Sequence, residues 1–175
     1  MLTLNTRIST ADKISAQLVL PYELRENSRL RTALASGEEV AIFTPRGTVL
    51  RNNDLLTGDD GRVVQIVAAR EATYRITCKN PHDLLRCAFH LGNRHTQTQV
   101  GEGFLRIARD KVLKEMLEGL GAMVVEEDAQ FEPEAGAYSS GGHQHGESGH
   151  GHAHGPLAPI PVHQKIHRPS DTPSP

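Results

Sequence analysis

The first 70 residues alternate short apolar runs with turn signals spaced about ten residues apart. Strands are predicted at residues 17–20, 39–44, 48–51 and 62–69. Pro45-Arg46-Gly47 and Asp59-Asp60-Gly61 supply two of the turns between them. Short strands at this spacing are typical of a small all-β domain, either a sandwich or an open barrel.

The pattern changes after residue 71. From there, segments with the two-residue repeat of a strand are followed by segments with the roughly 3.6-residue repeat of a helix. Residues 74–78 read as a strand, and Asn80 followed by Pro81 is a helix start with a side-chain cap. We expect Gly92 to end this helix in the left-handed conformation. The residues predicted to form one apolar face of this helix are Leu84, Leu85, Ala88 and Leu91.

The remainder of this segment predicts two more strands, a second helix and a final strand. A hairpin is expected from strands at 97–100 and 104–108, joined by Gly101-Glu102-Gly103. Asp110 caps a helix that Gly121 closes, and residues 123–127 form the last strand. The apolar residues of this helix are Val112, Leu113, Met116, Leu117 and Leu120. The order β-α-β-β-α-β is that of a ferredoxin-like domain.

The C-terminal residues carry a cluster of histidines set among Gly, Ser and Ala. Five of them lie between Gly142 and Gly155, at His143, His145, His150, His152 and His154. Their spacing is irregular, unlike an engineered run of six. Imidazole is the commonest protein ligand for borderline divalent ions, and a segment of this composition buries too little apolar surface to fold. We therefore predict a disordered metal-binding tail.

These patterns divide the chain into three parts and place it in the α+β class. We predict an all-β domain at residues 1–71, a ferredoxin-like domain at 72–138 and a His-rich and Pro-rich tail at 139–175. The formal net charge is only −2, with no basic patch for a nucleic acid. No stretch is apolar enough to cross a membrane or to act as a secretory signal, so a cytoplasmic location is expected.

Two cysteines, Cys78 and Cys87, are nine residues apart and have no Cys-x-x-Cys spacing. We interpret them as small buried side chains in preference to a disulfide or a pair of thiolate ligands.

Outside the tail cluster, His95 is the histidine best placed to bind a metal, because it follows a predicted helix end on an exposed corner. From the residues alone, an exposed histidine without a role is an equal alternative. A nickel or zinc centre needs about four donors, so one histidine per chain is insufficient. Two copies related by a two-fold axis near His95 would supply two imidazoles, and the tails could add the rest. His82 and His90 are interpreted as helix-surface residues, and no role is assigned to His163 or His167.

Several stretches resemble the UreE family of urease accessory proteins over nearly the whole chain. The strongest are residues 80–95 (NPHDLLRCAFHLGNRH), residues 132–138 (EPEAGAY) and the histidine-rich C-terminus. Residues 28–31 (SRLR), Arg46-Gly47 and Asp60-Gly61 agree with the family as well.

The resemblance implies a homodimeric nickel metallochaperone that delivers Ni(II) to urease apoprotein, together with other accessory proteins that include a GTPase. It also implies that the N-terminal domain is peptide-binding-like, that His95 is the interface nickel ligand and that the tail histidines collect metal. Some members carry further histidines where this chain has Ala108, Arg109 and Lys111, so that auxiliary site is expected to be absent.

The sequence allows one alternative function and disfavours two others. A general storage or buffering protein for Ni, Zn or Cu stays open, because imidazole serves all three ions and Zn(II) or Cu(II) would compete at the same sites. An RNA-binding domain is disfavoured because the central strands lack an aromatic run. An enzyme is disfavoured because no nucleophile elbow, phosphate loop or His-Glu-x-x-His helix is present.

Overall fold

The apolar runs of the N-terminal region form short strands in two sheets. The computed structural model describes residues 1–135. The elements of this region are β1 (Leu2–Leu4), β2 (Thr6–Ile8), β3 (Ala16–Leu20), α1 (Tyr22–Arg25), β4 (Arg29–Ala33), β5 (Glu39–Phe43), β6 (Leu55–Thr57) and β7 (Val63–Ala68). The strand orders are β1-β5-β4 and β2-β6-β7-β3, with β1–β5 and β3–β7 parallel and the other pairs antiparallel.

The two N-terminal sheets share one apolar core. Leu4 and Ile42 from the first sheet and Leu56 and Ile66 from the second are all essentially inaccessible to solvent. Fully burying a leucine or isoleucine contributes about 1.5 to 3 kcal/mol, so packing of the two sheets against each other stabilises the region. Of the two predicted forms, the structure is therefore the sandwich.

The strand predicted at residues 48–51 is wrong, because that segment is irregular and the next strand is β6. The Leu50 N–H donates to the Arg25 carbonyl oxygen at 2.9 Å, and the Arg51 N–H donates to Asp54 Oδ2 at 2.8 Å. The backbone N–H groups of Leu50 and Arg51 are therefore satisfied by α1 and by the Asp54 side chain, and not by a neighbouring strand.

The C-terminal region is a four-stranded antiparallel sheet with two helices, as the pattern predicted. Its elements are β8 (Arg70–Thr77), α2 (Pro81–Gly92), β9 (Gln99–Gly101), β10 (Phe104–Ala108), α3 (Lys111–Gly119) and β11 (Met123–Gln130). The strand order β11-β8-β10-β9 is that of a ferredoxin-like fold. Asn80 Oδ1 caps α2 by accepting from the Asp83 N–H at 2.9 Å, and Asp110 Oδ1 caps α3 through the Leu113 N–H at 3.0 Å.

The core of this region lies between the sheet and both helices. Ile76, Cys87, Leu91, Ile107 and Leu117 are completely buried there. Two apolar residues of the helices lie outside this core: Leu85 is 69% exposed and Val112 is 73% exposed. These two apolar side chains are therefore available for contacts outside this core.

Strand β11 runs three residues beyond its predicted end, because it pairs with β8 as far as Gln130 opposite Arg70. Its acidic residues have weak strand propensity, which hid the extension from the sequence pattern. Arg106 Nε lies 2.7 Å from Glu127 Oε1, and Arg109 and Lys114 pair with Glu126. Within residues 1–135, no helix is long and apolar enough to span a membrane.

Candidate metal centre

His95 lies at the end of α2, in a turn that the backbone hydrogen bonds define. The Thr96 N–H donates to the Leu91 carbonyl oxygen at 3.1 Å, and the His95 N–H donates to the Gly92 carbonyl oxygen at 2.9 Å. These two bonds form a Schellman motif, in which the residue that leaves the helix adopts a left-handed backbone. That residue is His95, with φ of 52°. The expectation that Gly92 would take this conformation is wrong, since Gly92 is still helical.

Helix α3 ends in the same motif, with a glycine at the equivalent position. The Ala122 N–H donates to the Leu117 carbonyl oxygen at 3.1 Å, and the Gly121 N–H donates to the Glu118 carbonyl oxygen at 2.9 Å. Gly121 has φ of 88°. Glycine adopts this backbone without strain because it lacks Cβ.

The histidine at the α2 end therefore carries a conformational cost that α3 avoids. A left-handed backbone costs a residue with a side chain about 1 kcal/mol or more. Residues held in such conformations cluster at functional sites. The His95 side chain is exposed, so burial in the core does not explain why this position has an imidazole.

The outer surface of α2 presents an apolar stripe, defined here as Leu85 and Phe89, which are one helical turn apart. They are 69% and 65% exposed. The Phe89 ring meets the His90 ring edge to face, with centroids 5.5 Å apart. His82 is exposed in the first turn, and His90 is half-buried. The stripe runs along the helix that ends at His95.

The described part of the chain does not provide His95 with a complete set of metal ligands. No group of three or more His, Cys, Asp or Glu side chains within residues 1–135 could hold a metal ion. The other candidate ligands, His143, His145, His150, His152 and His154, lie outside the described residues, as do His163 and His167. Further donors to a metal at His95 must come from that segment, from a second copy, or from both.

An ion pair between a buried arginine and a half-buried glutamate anchors the segment that leads to the histidine cluster. We call residues 131–135 the tail root. The fully buried Arg25 side chain pairs with Glu132 and donates to the Phe131 carbonyl oxygen and to the Leu50 carbonyl oxygen at 3.1 Å. Arg51 Nη1 adds a second ion pair, 3.3 Å from Glu132 Oε2. The root is thereby fastened to the N-terminal region.

Two aromatic side chains pack around the ion pair between Arg25 and Glu132. The Tyr22 and Phe131 rings pack edge to face with centroids 5.6 Å apart, and the Arg25 guanidinium lies 5.4 Å from the Tyr22 ring centroid. Burial raises the pKa of the Tyr22 phenol, and the Glu26 carboxylate adds to the increase. Sequence reasoning missed Arg25, although it had singled out the motif that contains Glu132.

The tail root also contacts the segment that follows His95. The Glu134 N–H donates to the Thr98 carbonyl oxygen at 2.9 Å, and the Glu132 N–H donates to Gln99 Oε1 at 3.0 Å. Thr98 is three residues beyond His95, a path of at most about 11 Å along the chain. The chain therefore leaves the described region close to His95.

Comparison with known proteins identifies the family. The model of the UreE urease accessory protein N-terminal domain matches residues 4–69, and that of the C-terminal domain matches residues 71–156. A urease accessory protein UreE of Nitrosospira multiformis is 89% identical over 99% of both chains, and one of a Janthinobacterium species is 66% identical over 98% of both. One of Burkholderia lata is 48% identical over 83% of this chain and 73% of its own. The chain thus belongs to the UreE family of urease accessory proteins.

Proposed function

We propose that this protein is a nickel metallochaperone that binds Ni(II) at His95 and delivers it to urease apoprotein. The observation that carries the proposal is the left-handed backbone of an exposed imidazole at a position where the equivalent helix end has glycine. A strained, accessible histidine on a rigid helix end suits a metal that must be bound and then released. Family membership supports urease as the recipient.

A homodimer would give His95 its first additional ligand. The stripe formed by Leu85 and Phe89 supports an interface beside His95, because apolar side chains exposed to this extent on a helix favour burial against a partner. A two-fold axis at that surface would bring the two His95 imidazoles together.

The tail histidines are the proposed source of the remaining ligands. His143 is eight positions beyond Ala135, and a stretch of that length spans at most about 28 Å. This exceeds the path between the tail root and His95, so chain length permits His143 and the histidines beyond it to reach the site. Because only neutral imidazole binds a metal, binding should weaken in mild acid.

The remaining parts of the proposal concern organisation and partners. We divide the chain at residues 71 and 138 into an N-terminal peptide-binding-like domain, the metal-binding domain and the tail. The protein would act in the cytoplasm, without catalytic activity, alongside urease apoprotein and the other accessory proteins, including the accessory GTPase. Zn(II) and Cu(II) would compete with Ni(II) at the same imidazoles.

Activation of urease apoprotein at limiting nickel, with the other accessory proteins present, tests delivery directly. The unsubstituted protein should raise the urease activity that is recovered. The His95→Ala variant should give only a small part of that increase. His82→Ala is the matched control, because it removes an exposed histidine from the same helix.

The storage alternative makes the opposite prediction for the same assay. A buffering protein would withhold nickel, so that adding it would leave urease activation unchanged or reduced. Equal recovery with His95→Ala and with the unaltered chain would contradict delivery through His95.

A further inference from the structure

Two thiols face each other between the sheet and α2. Cys78 Sγ and Cys87 Sγ are 3.9 Å apart, and neither cysteine is in a disulfide. Cys78 follows the end of β8 with the same alternation as the inward-facing Tyr74 and Ile76. Cys87 is on the inward face of α2 with Leu91, one turn further along. The strand and helix periods together aim the two sulfur atoms at one another.

The two thiols differ in their access to solvent. Cys78 is half-buried and lines a surface cavity of about 280 Å³ with Thr77, Lys79, Gly121, Ala122 and Met123. Cys87 is fully buried. Burial raises the pKa of the Cys87 thiol to about 11, and its hydrogen bond with Cys78 adds to the increase. An oxidant in solution therefore meets Cys78 first.

We propose that Cys78 and Cys87 form an oxidant-sensitive modification site, in which a peroxide converts the two thiols into an intramolecular disulfide. In the first step the Cys78 thiolate attacks one peroxide oxygen, forming a sulfenic acid and releasing an alkoxide or hydroxide that takes up the thiol proton. In the second step the Cys87 sulfur displaces the sulfenic hydroxyl, and the Cys87 proton leaves with it as water. Two thiols are oxidised by two electrons, and one peroxide bond is reduced.

The geometry requires only a local adjustment to form this bond. A disulfide needs a sulfur separation near 2.05 Å, so the two atoms must approach by roughly 1.9 Å. Cys78 lies just beyond the last β8 residue, Thr77, where no strand ladder restrains it. Side-chain rotation and a small shift at this strand end supply the approach.

The disulfide would fasten the end of β8 to the middle of α2. Cys87 is buried in the core five residues before α2 ends at Gly92, whereas His95 is exposed in the turn beyond that end, so the thiols are not ligands of a metal held at His95. The modification is thus independent of the metal-delivery proposal and can be measured on metal-free protein.

Peptide mapping after peroxide treatment tests the proposal on the full-length, reduced, metal-free protein. A chelator is included because bound metal ions catalyse oxidation of their own. Trypsin cuts after Arg75, Lys79, Arg86 and Arg94, so residues 76–79 and residues 87–94 form separate peptides. After thiol blocking in denaturant, we expect these two peptides joined by a disulfide, with both thiols lost at the same rate.

Single substitutions separate the two steps. Cys87→Ser should stop at the Cys78 sulfenic acid, which dimedone traps. In Cys78→Ser, the buried Cys87 should react on the order of tenfold more slowly than Cys78 does. Overoxidised Cys78 beside an intact Cys87, a Cys78–Cys78 link between two copies, or resistance of both thiols would each overturn the proposal. If a variant fails to fold, peptide mapping of the unsubstituted protein still shows whether the disulfide between Cys78 and Cys87 forms.

Discussion

His95 and Gly121 occupy the same position in two equivalent helix ends. Each is the left-handed residue of a Schellman motif, with φ of 52° and 88°, and each follows a helix that packs against the same sheet. Both motifs start from a fully buried leucine, Leu91 or Leu117, and are closed by the same two backbone hydrogen bonds. The pair therefore provides an internal measure of what the chain gives up in stability to present an imidazole at the end of α2.

Replacing His95 with glycine should make the protein more stable and remove its tightest nickel site. Relief of the left-handed strain should raise the free energy of unfolding by about 0.5 to 1 kcal/mol. Urea denaturation of the metal-free protein measures this change, and calorimetric titration with Ni(II) measures the loss of the site. A His95→Gly variant that keeps the tight binding phase would refute the assignment of His95 as a ligand.

The reciprocal substitution, Gly121→His, is the matched control for that experiment. A Cβ at Gly121 would meet no heavy atom within 4 Å, so the cost comes from the backbone rather than from a clash. We expect the free energy of unfolding to fall by about 1 kcal/mol, with tight nickel binding unchanged. A fall of several kcal/mol would show that the two helix ends are not comparable.

Removing the Glu132 carboxylate should destabilise the protein strongly. Glu132→Ala leaves the fully buried Arg25 guanidinium with carbonyl acceptors only. Because Glu132 itself is 25% exposed, we expect the lower end of the cost of leaving a buried charge without its partner, about 3 kcal/mol. Glu134→Ala is the control in the same segment, because its side chain is exposed and its backbone N–H makes the contact with Thr98. Urea denaturation should place the control within about 0.5 kcal/mol of the unaltered chain.

Placing a charge in the α2 stripe should separate the proposed dimer. Phe89→Lys would bury an unpaired ammonium at the interface, so light scattering should report a monomer at concentrations where the unaltered chain is dimeric. Nickel binding at His95 should weaken with it. Val19→Lys changes a side chain of similar exposure, 60%, in the N-terminal region and should leave the dimer intact. A dimeric Phe89→Lys would place the interface elsewhere.

Truncation after Ser139 should reduce the number of nickel ions bound while sparing the fold and leaving the two His95 imidazoles of the proposed dimer in place to hold one ion without the tail ligands. It removes the five clustered histidines but leaves the ion pair between Arg25 and Glu132 in place. Calorimetric titration gives the number of ions, and light scattering gives the oligomeric state. Loss of the folded dimer on truncation would mean that the tail has a structural role.

The order of elements in the C-terminal region followed from signals that act within a few residues. Asn80 and Asp110 cap the two helices and Gly121 ends the second, as the sequence indicated. The predicted strand ends were less accurate, since residues 48–51 are irregular and β11 continues to Gln130. Those boundaries depend on which distant strand or side chain takes up the backbone hydrogen bonds, and local propensity does not contain that information.

The sequence by itself determined the α+β class, the helix that leads to His95 and the family resemblance, because periodicity, capping and motifs are written in neighbouring residues. Only the tertiary structure decided that His95 rather than Gly92 takes the left-handed backbone, and that Leu85 stays exposed. It alone paired Arg25 with Glu132 across 107 residues of chain. The hydrogen bonds that close α2 place His95 in the left-handed position. The other two outcomes follow from packing between segments far apart in sequence, where burial and charge pairing override local preference.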